Sequence, residues 1–253
     1  APSLSPAPAA SPSASARPTV AAALPAPSPS AVTSAPAIVV RADVGPASAG
    51  LGGMEPVVAT HPTDPTVFAI AYERRLPRAA CSGASVEAAL AISRDGGRSW
   101  AATPRRPWDG STRASSYHSA VAWGPGPAPG TARLYWAGTT TRRCGGDLRV
   151  AVAWSDDAGK TWSRLLVLRS TPAWVGGMPD ITVDGNPRSA GYGTVWVAYN
   201  YPLAKGRGSG LRIVASADLG RTWRDIGVPR AAAPAGFPAT WRFGYRIRTG
   251  PDG

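Results

Sequence analysis

The 253-residue sequence has few acidic residues, few cysteines and no long apolar run. It carries 15 Asp and Glu against 27 Lys and Arg, which gives a net charge of +12. An Arg-rich solvated surface accounts for this balance, and so does a basic face that binds an anionic ligand such as an acidic saccharide. Because no compact Lys/Arg run is present, a nucleic acid is not an expected partner.

Other absences narrow the class of protein. No stretch of 18 apolar residues occurs, so the sequence predicts no membrane span. The two cysteines, Cys81 and Cys144, do not have metal-site spacing, and we expect neither a metal nor a cofactor.

Residues 1–36 consist almost entirely of Ala, Pro and Ser, with Arg17 as their only charge. Such a segment has too little apolar bulk to offset the entropy of ordering, and it predicts a disordered leader. The sequence has neither an initiator Met nor a signal peptide, so we expect it to begin after a cleaved signal or within a longer protein. A tether of this kind favours a secreted or cell-surface location.

Residues 37–253 contain three copies of the pattern Ser-x-Asp-x-Gly-x-Ser/Thr-Trp. The copies begin at Ser93, Ser155 and Ser216, so their starts lie 62 and 61 residues apart (155 − 93 and 216 − 155). The shared positions are Ser93, Asp95, Gly97 and Trp100; Ser155, Asp157, Gly159 and Trp162; and Ser216, Asp218, Gly220 and Trp223. A near-constant period of this length indicates a repeat architecture.

The chemistry of the pattern is that of a β-hairpin turn. The carboxylate accepts turn N–H groups, the Gly adopts positive φ without a Cβ clash, and the Ser hydroxyl adds a local bond. We therefore interpret these Asp residues as structural rather than catalytic. The Trp is expected to begin the next strand and to be mostly buried between neighbouring sheets.

Each copy of the pattern is called a box below. Apolar runs surround each box and predict four antiparallel strands per unit, with the fourth strand following the box, as in Thr161 to Leu168. Such units describe an all-β protein whose β-propeller blades are four-stranded antiparallel sheets. About three and a half blades are expected, over residues 54–107, 115–170, 176–230 and 239–253.

The box and its period resemble the BNR (Asp-box) repeat proteins, and the length of the units is most similar to the sialidase-like branch. The segment Met178–Asp184 followed by Gly193–Tyr199 looks like the first two strands of a blade in that family. The resemblance implies a six-bladed ring, so we expect the remaining blades to lie in a longer chain. It also implies an active site on the face opposite the boxes.

Loops of that opposite face contain basic and aromatic residues that we expect to contact a ligand. The candidates are Arg74, Arg75, Arg142, Arg143 and Trp174, with Trp108 expected on the same face. Seven residues before Pro62, Pro125 and Pro187 lie Glu55, His118 and Asp180, respectively.

Because first strands are innermost, this shared offset predicts that Glu55, His118 and Asp180 ring the mouth of the central channel. Carboxylates beside a His suit general acid–base catalysis. Hydrogen-bonded rim groups without a catalytic role are the alternative.

A sialidase requires three Arg residues for the substrate carboxylate and a Tyr–Glu nucleophile pair. Tyr245–Arg248 resembles the family's first Arg motif but follows the third box and lacks its Pro, so the role is not carried over. Two functions remain open: a sialidase-like glycoside hydrolase that acts on glycans, and a non-catalytic binding or scaffold propeller.

Cys81 and Cys144 precede their boxes by 12 and 11 residues (93 − 81 and 155 − 144). They therefore occupy equivalent places in adjacent blades. In an exported protein such residues form a disulfide, and two free thiols are the alternative.

Overall fold

The computed structural model describes residues 53–75, 86–108, 116–140, 148–171, 177–202, 209–227 and 246–250. All of them belong to one compact unit, Val39–Gly253, and the expected leader lies outside the described residues. The described part is all-β, with twelve strands and no helix. It thus contains no helix of the length and apolarity needed to cross a bilayer.

The strands form three four-stranded sheets, here called blades 1, 2 and 3. Blade 1 contains β1 (Gly53–Thr60), β2 (Phe68–Arg75), β3 (Val86–Ser93) and β4 (Ala101–Ala102). Blade 2 contains β5 (Ser116–Pro125), β6 (Ala132–Thr140), β7 (Leu148–Ser155) and β8 (Leu166–Thr171). Blade 3 contains β9 (Asp180–Val183), β10 (Val195–Pro202), β11 (Ser209–Ser216) and β12 (Arg224–Asp225).

Each blade is an antiparallel meander in which strands pair in sequence order. The second strands are apolar on both faces; in β6 every residue after Ala132 is buried. Such strands must be covered from both sides, and neighbouring blades supply the cover. The first strands β1, β5 and β9 lie side by side, so they form the inner edge. The expected all-β architecture of four-stranded antiparallel blades is confirmed.

Two apolar clusters hold the blades together, one between blades 1 and 2 and one between blades 2 and 3. At the centre of the first, the rings of Trp108 and Trp136 lie 5.1 Å apart. The Trp136 ring lies over Gly138, where an added Cβ would come within 2.0 Å of it. Trp108, expected on the face opposite the boxes, is only 4% exposed and fills this interface.

The fourth strands differ from the expectation that each begins at the box Trp. β8 begins at Leu166, four residues after Trp162, and β4 and β12 contain two residues each. In blade 1 the cause is Pro104 and Pro107, which have no N–H to donate to β3. The outer edge of each blade is therefore less regular than its inner three strands.

The three box hairpins share one hydrogen-bond pattern. In blade 2 the Ser155 hydroxyl donates to Asp157 Oδ1 (2.8 Å) and accepts the Gly159 N–H (2.7 Å). Asp157 also accepts the N–H of Thr161 (2.8 Å) and its hydroxyl (2.6 Å). The same four bonds recur in the boxes of blades 1 and 3.

These bonds stabilise the ionised carboxylates. Hydrogen bonds from Ser99 lower the pKa of Asp95 to about 2. At Asp218 burial opposes ionisation, yet the bonds from Thr222 prevail and bring its pKa to about 2 as well. The glycines follow the expected geometry, with φ of +86° at Gly97 and +84° at Gly159. The box tryptophans are partly buried, less than expected.

The second and third boxes also pack on the blade before them. Trp162 of blade 2 donates its indole N–H to the carbonyl of Arg105 in blade 1 (3.2 Å). In the next interface Arg133 of blade 2 donates to the carbonyl of Leu219 in the third box (2.8 Å). Arg133 is also held by both carboxylate oxygens of Asp156 and lies 5.2 Å from the Trp154 ring centroid. The boxes thus join successive blades.

Candidate functional site

The face opposite the boxes is formed by the starts of the first and third strands and the ends of the second strands. The boxes lie with the loops between first and second strands, as the bond from Gly96 N–H to the Thr66 carbonyl shows (2.8 Å). Chemically distinctive residues of the described part gather at the opposite ends: Glu73, Arg74, Glu87, His118, Asp180 and Asn200.

Strand pairing provides a common reference for comparing the blades. Phe68, Leu134 and Val195 each pair with the first serine of a box. Counted from them, Val57, Ala120 and Asp180 are equivalent, because they pair with the third residue after each.

Glu55 and His118 lie in β-bulges, where the register shifts between Met54 and Val57 and between Tyr117 and Ala120. The blade 3 residue at the His118 position is Met178, two before Asp180. The expected alignment of Asp180 with Glu55 and His118 is therefore wrong: Asp180 lies two residues further along the first strand of its blade. The cause is loop length: the loop before β10 spans 184–194, whereas that before β2 spans only 61–67.

The first site feature joins blades 1 and 2 through Glu73 and His118. Glu73 is 5% exposed, and its Oε1 accepts the backbone N–H of His118 at 2.5 Å. The same oxygen lies 3.6 Å from His118 Nδ1, an ion-pair distance when the imidazole is protonated. His118 has φ +52°, a conformation that costs a non-glycine residue of order 1–3 kcal/mol. The carboxylate therefore holds a strained bulge and positions the imidazole, which is about a quarter exposed.

The second feature surrounds Asp180, which is 1% exposed. Its Oδ2 accepts the backbone N–H of Ile247 (2.8 Å) and a guanidinium N–H of Arg248 (2.9 Å). Its Oδ1 is buried without a hydrogen-bond partner. Asp180 and His118 belong to neighbouring first strands; Asp180 faces away from blade 2, and His118 contacts blade 1.

A third feature places the candidate Arg74 on a different side of blade 1. Arg74 and its cross-strand neighbour Glu87 alternate with Glu73 and Ala88, so they lie on the sheet face that is turned away from blade 2. Glu87 is 7% exposed and accepts from Arg74 Nε (2.7 Å) and from Arg106 (2.7 Å). The structure therefore joins Arg74 to a buried carboxylate rather than bringing it to His118.

Buried polar groups continue around this face. Five residues after the reference positions lie Glu73, Thr139 and Asn200 (68 + 5, 134 + 5 and 195 + 5). Thr139 Oγ1 and both amide atoms of Asn200 are buried without partners. Unsatisfied buried groups are uncommon in folded proteins and tend to mark functional positions.

Several candidates fall outside the described residues: Arg142, Arg143, Trp174, Tyr245, Cys81 and Cys144. The strands contain Glu55 and Arg75, but the described contacts do not include their side chains. In the described part, no three His, Cys, Asp or Glu side chains cluster as a metal site.

Sequence reasoning missed Glu73 and Asn200. A signal for Glu73 was present: it shares strand parity with Ala69 and Ala71, which are fully buried, so an acid was directed into an apolar interface. Asn200 follows an apolar run in the same manner. Polar residues at inward positions near strand ends would have identified both.

Comparison with known proteins agrees with the repeat. The BNR/Asp-box repeat family profile matches residues 153–164, which contain the second box. No curated protein matches the chain. Among solved structures, the Hadza microbial sialidase Hz136 is similar at 20% identity and a TM-score of 0.47, over 68% of this chain and 37% of that one.

The α-L-arabinofuranosidase arb93a from Fusarium graminearum is similar at 14% identity and a TM-score of 0.48, over 68% of this chain and 47% of that one. NanB sialidase from Streptococcus pneumoniae is similar at 19% identity and 0.34, over 58% and 19%. The chain thus spans less than half the length of each of these proteins. The motif, the hairpin geometry and the family profile over residues 153–164 agree on BNR/Asp-box repeats carried by four-stranded antiparallel blades.

Proposed function

We propose that the face opposite the boxes binds glycans at the inner ends of the blades, and that it belongs to a glycoside hydrolase of the sialidase-like type. The observation that carries the proposal is the Glu73–His118 pair, in which a buried carboxylate holds an imidazole on a strained bulge. A partly exposed imidazole beside a carboxylate suits proton transfer to or from a bound hydroxyl or glycosidic oxygen.

Asp180 adds a second carboxylate on the neighbouring first strand. Arg248 holds one of its oxygens and leaves Oδ1 unpartnered. Glycosidases act with two carboxyl groups on either side of the scissile bond, and we assign these two roles to Glu73 and Asp180. Glu55 occupies the same bulge position in blade 1 as His118 in blade 2 and is retained as a third candidate.

A non-catalytic binding propeller is the second candidate. The bonds of Asp180 favour this second candidate. A carboxylate that is bonded to Arg248 and to a backbone N–H also fits a purely structural ion pair. Tyr72 lies with Ile70 and Ala91 on the sheet face opposite Glu73, so these two residues do not form the Tyr–Glu pair of a sialidase.

The test is turnover of a fluorogenic sialoside and a panel of neutral glycosides, together with glycan binding. We expect His118→Gln and a Glu55→Gln/Asp180→Asn double variant to lower turnover at least about a hundredfold. The matched control is Asp64→Asn, an exposed acid on the box face. Equal activity in the variants and the control contradicts the catalytic assignment. Glycan binding without turnover supports the second candidate.

An extracytoplasmic location is proposed on the composition of residues 1–36. The proposal includes a disulfide between Cys81 and Cys144, which would contribute roughly 4 kcal/mol by loop closure. Thiol labelling of the exported protein without reductant is the check. Two labelled thiols contradict the bridge.

A further inference from the structure

A groove of about 970 Å³ runs along the outer part of the interface between blades 1 and 2. One wall is the segment after β4, from Arg105 to Trp108, and the other is the exit of the second box, from Trp162 to Val167. The chain between the second box and β8, which begins only at Leu166, is irregular and forms much of the second wall. The groove is separate from the Glu73–His118 pair, which lies at the inner strands.

The charged residues that line this groove are all positive. Five arginines line it, and none of its described lining residues is acidic: Arg105, Arg106, Arg149, Arg164 and Arg221. Arg106 is paired with Glu87. The guanidinium groups of the other four have no ion-pair partner anywhere in the described part of the chain. Four unneutralised cations around one concave surface favour an anionic ligand.

Arg149 distinguishes this groove from an ordinary basic surface. It lies at the start of β7, opposite Thr140 and Ser170. Its Nε is buried and has no hydrogen-bond partner. A guanidinium N–H left without an acceptor is costly in the folded protein, and a carboxylate or sulfate oxygen in the groove would satisfy it.

The aromatic residues favour a saccharide over a nucleic acid. The Trp108 ring lies against Trp136, Arg133 lies over the Trp154 ring, and the Trp162 N–H is bonded to Arg105. These contacts restrict the open indole faces on which bases stack. Of these residues, Trp154 and Trp162 remain partly exposed, and their rings offer an apolar surface to the C–H groups of sugar rings. The volume falls within the range of small-ligand sites and accommodates a few sugar units.

We propose that this groove binds an anionic polysaccharide, with Arg149, Arg164 and Arg221 contacting its carboxylate or sulfate groups. The site is distinct from the inner strand ends and does not depend on catalysis there. It retains the chain on an acidic glycan whether or not the blades hydrolyse one.

The test measures binding of the full chain to four probes at about 0.15 M salt, where surface charges act over about 8 Å. The probes are heparin, polygalacturonate, neutral dextran and single-stranded oligothymidine. The groove variant is Arg164→Gln/Arg221→Gln, which removes two exposed arginines. The matched control is Arg94→Gln/Arg188→Gln, which makes the same charge change at exposed sites outside the groove.

We expect heparin or polygalacturonate to bind, and preference between them to tell sulfate from carboxylate recognition. The groove variant should weaken that binding at least about tenfold and the control less than about twofold. Arg149→Gln should weaken it as well, with the melting temperature unchanged or raised. His118→Gln should leave it intact, which separates this site from the proposed function.

Three results would overturn the proposal. Equal loss in the groove variant and the control would mean that total charge alone attracts the polyanion. Tighter, groove-dependent binding of oligothymidine would assign the site to nucleic acid. Absence of binding to both acidic polysaccharides would remove the site altogether.

Discussion

The two faces of the blades differ in how closely the three blades resemble one another. On the box face, three hairpins repeat the same residues and the same bonds, down to hydroxyl–carboxylate distances of 2.6 Å in every copy. On the opposite face, equivalent positions hold different residues: Glu73, Thr139 and Asn200 on the second strands, and Glu55, His118 and Met178 near the starts of the first strands. Repetition accompanies a folding role, and divergence on a repeated frame marks the positions available for chemistry.

The two faces also differ in how completely their polar atoms are hydrogen-bonded. The box carboxylates are fully bonded within their own hairpins, whereas buried polar atoms of Thr139, Asp180 and Asn200 lack partners on the other face. The hydrogen bonds of the box face therefore stabilise the fold, whereas the unpartnered buried atoms of the opposite face destabilise it. Five predictions test this contrast.

The largest effect is expected at Arg133, which joins the second and third boxes. Arg133→Met removes the bonds to Asp156 and to the Leu219 carbonyl while keeping most of the side-chain volume. We expect a loss of about 2–3 kcal/mol in the free energy of unfolding, measured by urea denaturation. Arg164→Met is the control and should cost less than about 0.5 kcal/mol, because Arg164 is exposed. Equal effects would contradict the joining role.

The next effect separates backbone strain from blade contact. In Gly159→Ala the residue keeps φ +84°, and its Cβ would lie 2.7 Å from Thr103 Cγ2 of blade 1. Gly96→Ala has similar strain at φ +74° but no neighbour within 4 Å. We expect losses of about 2–3 kcal/mol at Gly159 and about 1 kcal/mol at Gly96. Thermal unfolding of both variants measures the difference, and its absence would mean that the box does not press on the preceding blade.

A smaller loss is expected when a box carboxylate is removed. Asp157→Ala should lower stability by about 1–2 kcal/mol, as for loss of a capping side chain, and leave glycan affinity unchanged. Loss of binding at unchanged stability would contradict the structural role.

Acid unfolding gives an independent check on the same bonds. Asp95 and Asp218 have a pKa near 2, below their ordinary value of 3.8. A carboxyl whose pKa is lowered by folding stabilises the protein above its unfolded pKa, so this contribution should fade from about pH 4 to pH 2. Asp218→Asn should flatten that part of the stability profile. An unchanged slope would contradict the assignment.

The smallest effect has the opposite sign. Asn200 is fully buried and neither amide atom has a partner, so Asn200→Leu should raise stability by about 1 kcal/mol or leave it unchanged. If this face binds a glycan, the same substitution should weaken binding. A clear loss of stability would show that Asn200 stabilises the fold, as the polar residues of the boxes do, and would contradict the contrast between the two faces.

The same contrast explains what could be predicted from the sequence. The hydrogen bonds of the box hairpins join residues two and four apart, so Ser93 to Trp100 and its two copies locate three turns and hence the meanders around them. The Glu73–His118 contact spans 45 residues and depends on how one blade lies against the next. Counting from Pro187 misplaced Asp180, because loop length is not fixed by the repeat, whereas pairing to the box serine is. The place of Trp108 in the interface between blades 1 and 2 was not predicted, because a loop position does not reveal that the chain folds back there.

The packing of the second and third boxes on the blade before them has a consequence for folding during synthesis. Blade 1 obtains the contacts of Gly159 with Thr103 and of Trp162 with Arg105 only after the second box has been made, about 60 residues later. At a translation rate of 5–20 residues per second, each newly made blade waits roughly 3–12 s with its outer edge uncovered. The nascent chain therefore always exposes one incomplete blade, and slow translation after a box would prolong the interval in which it can pair wrongly.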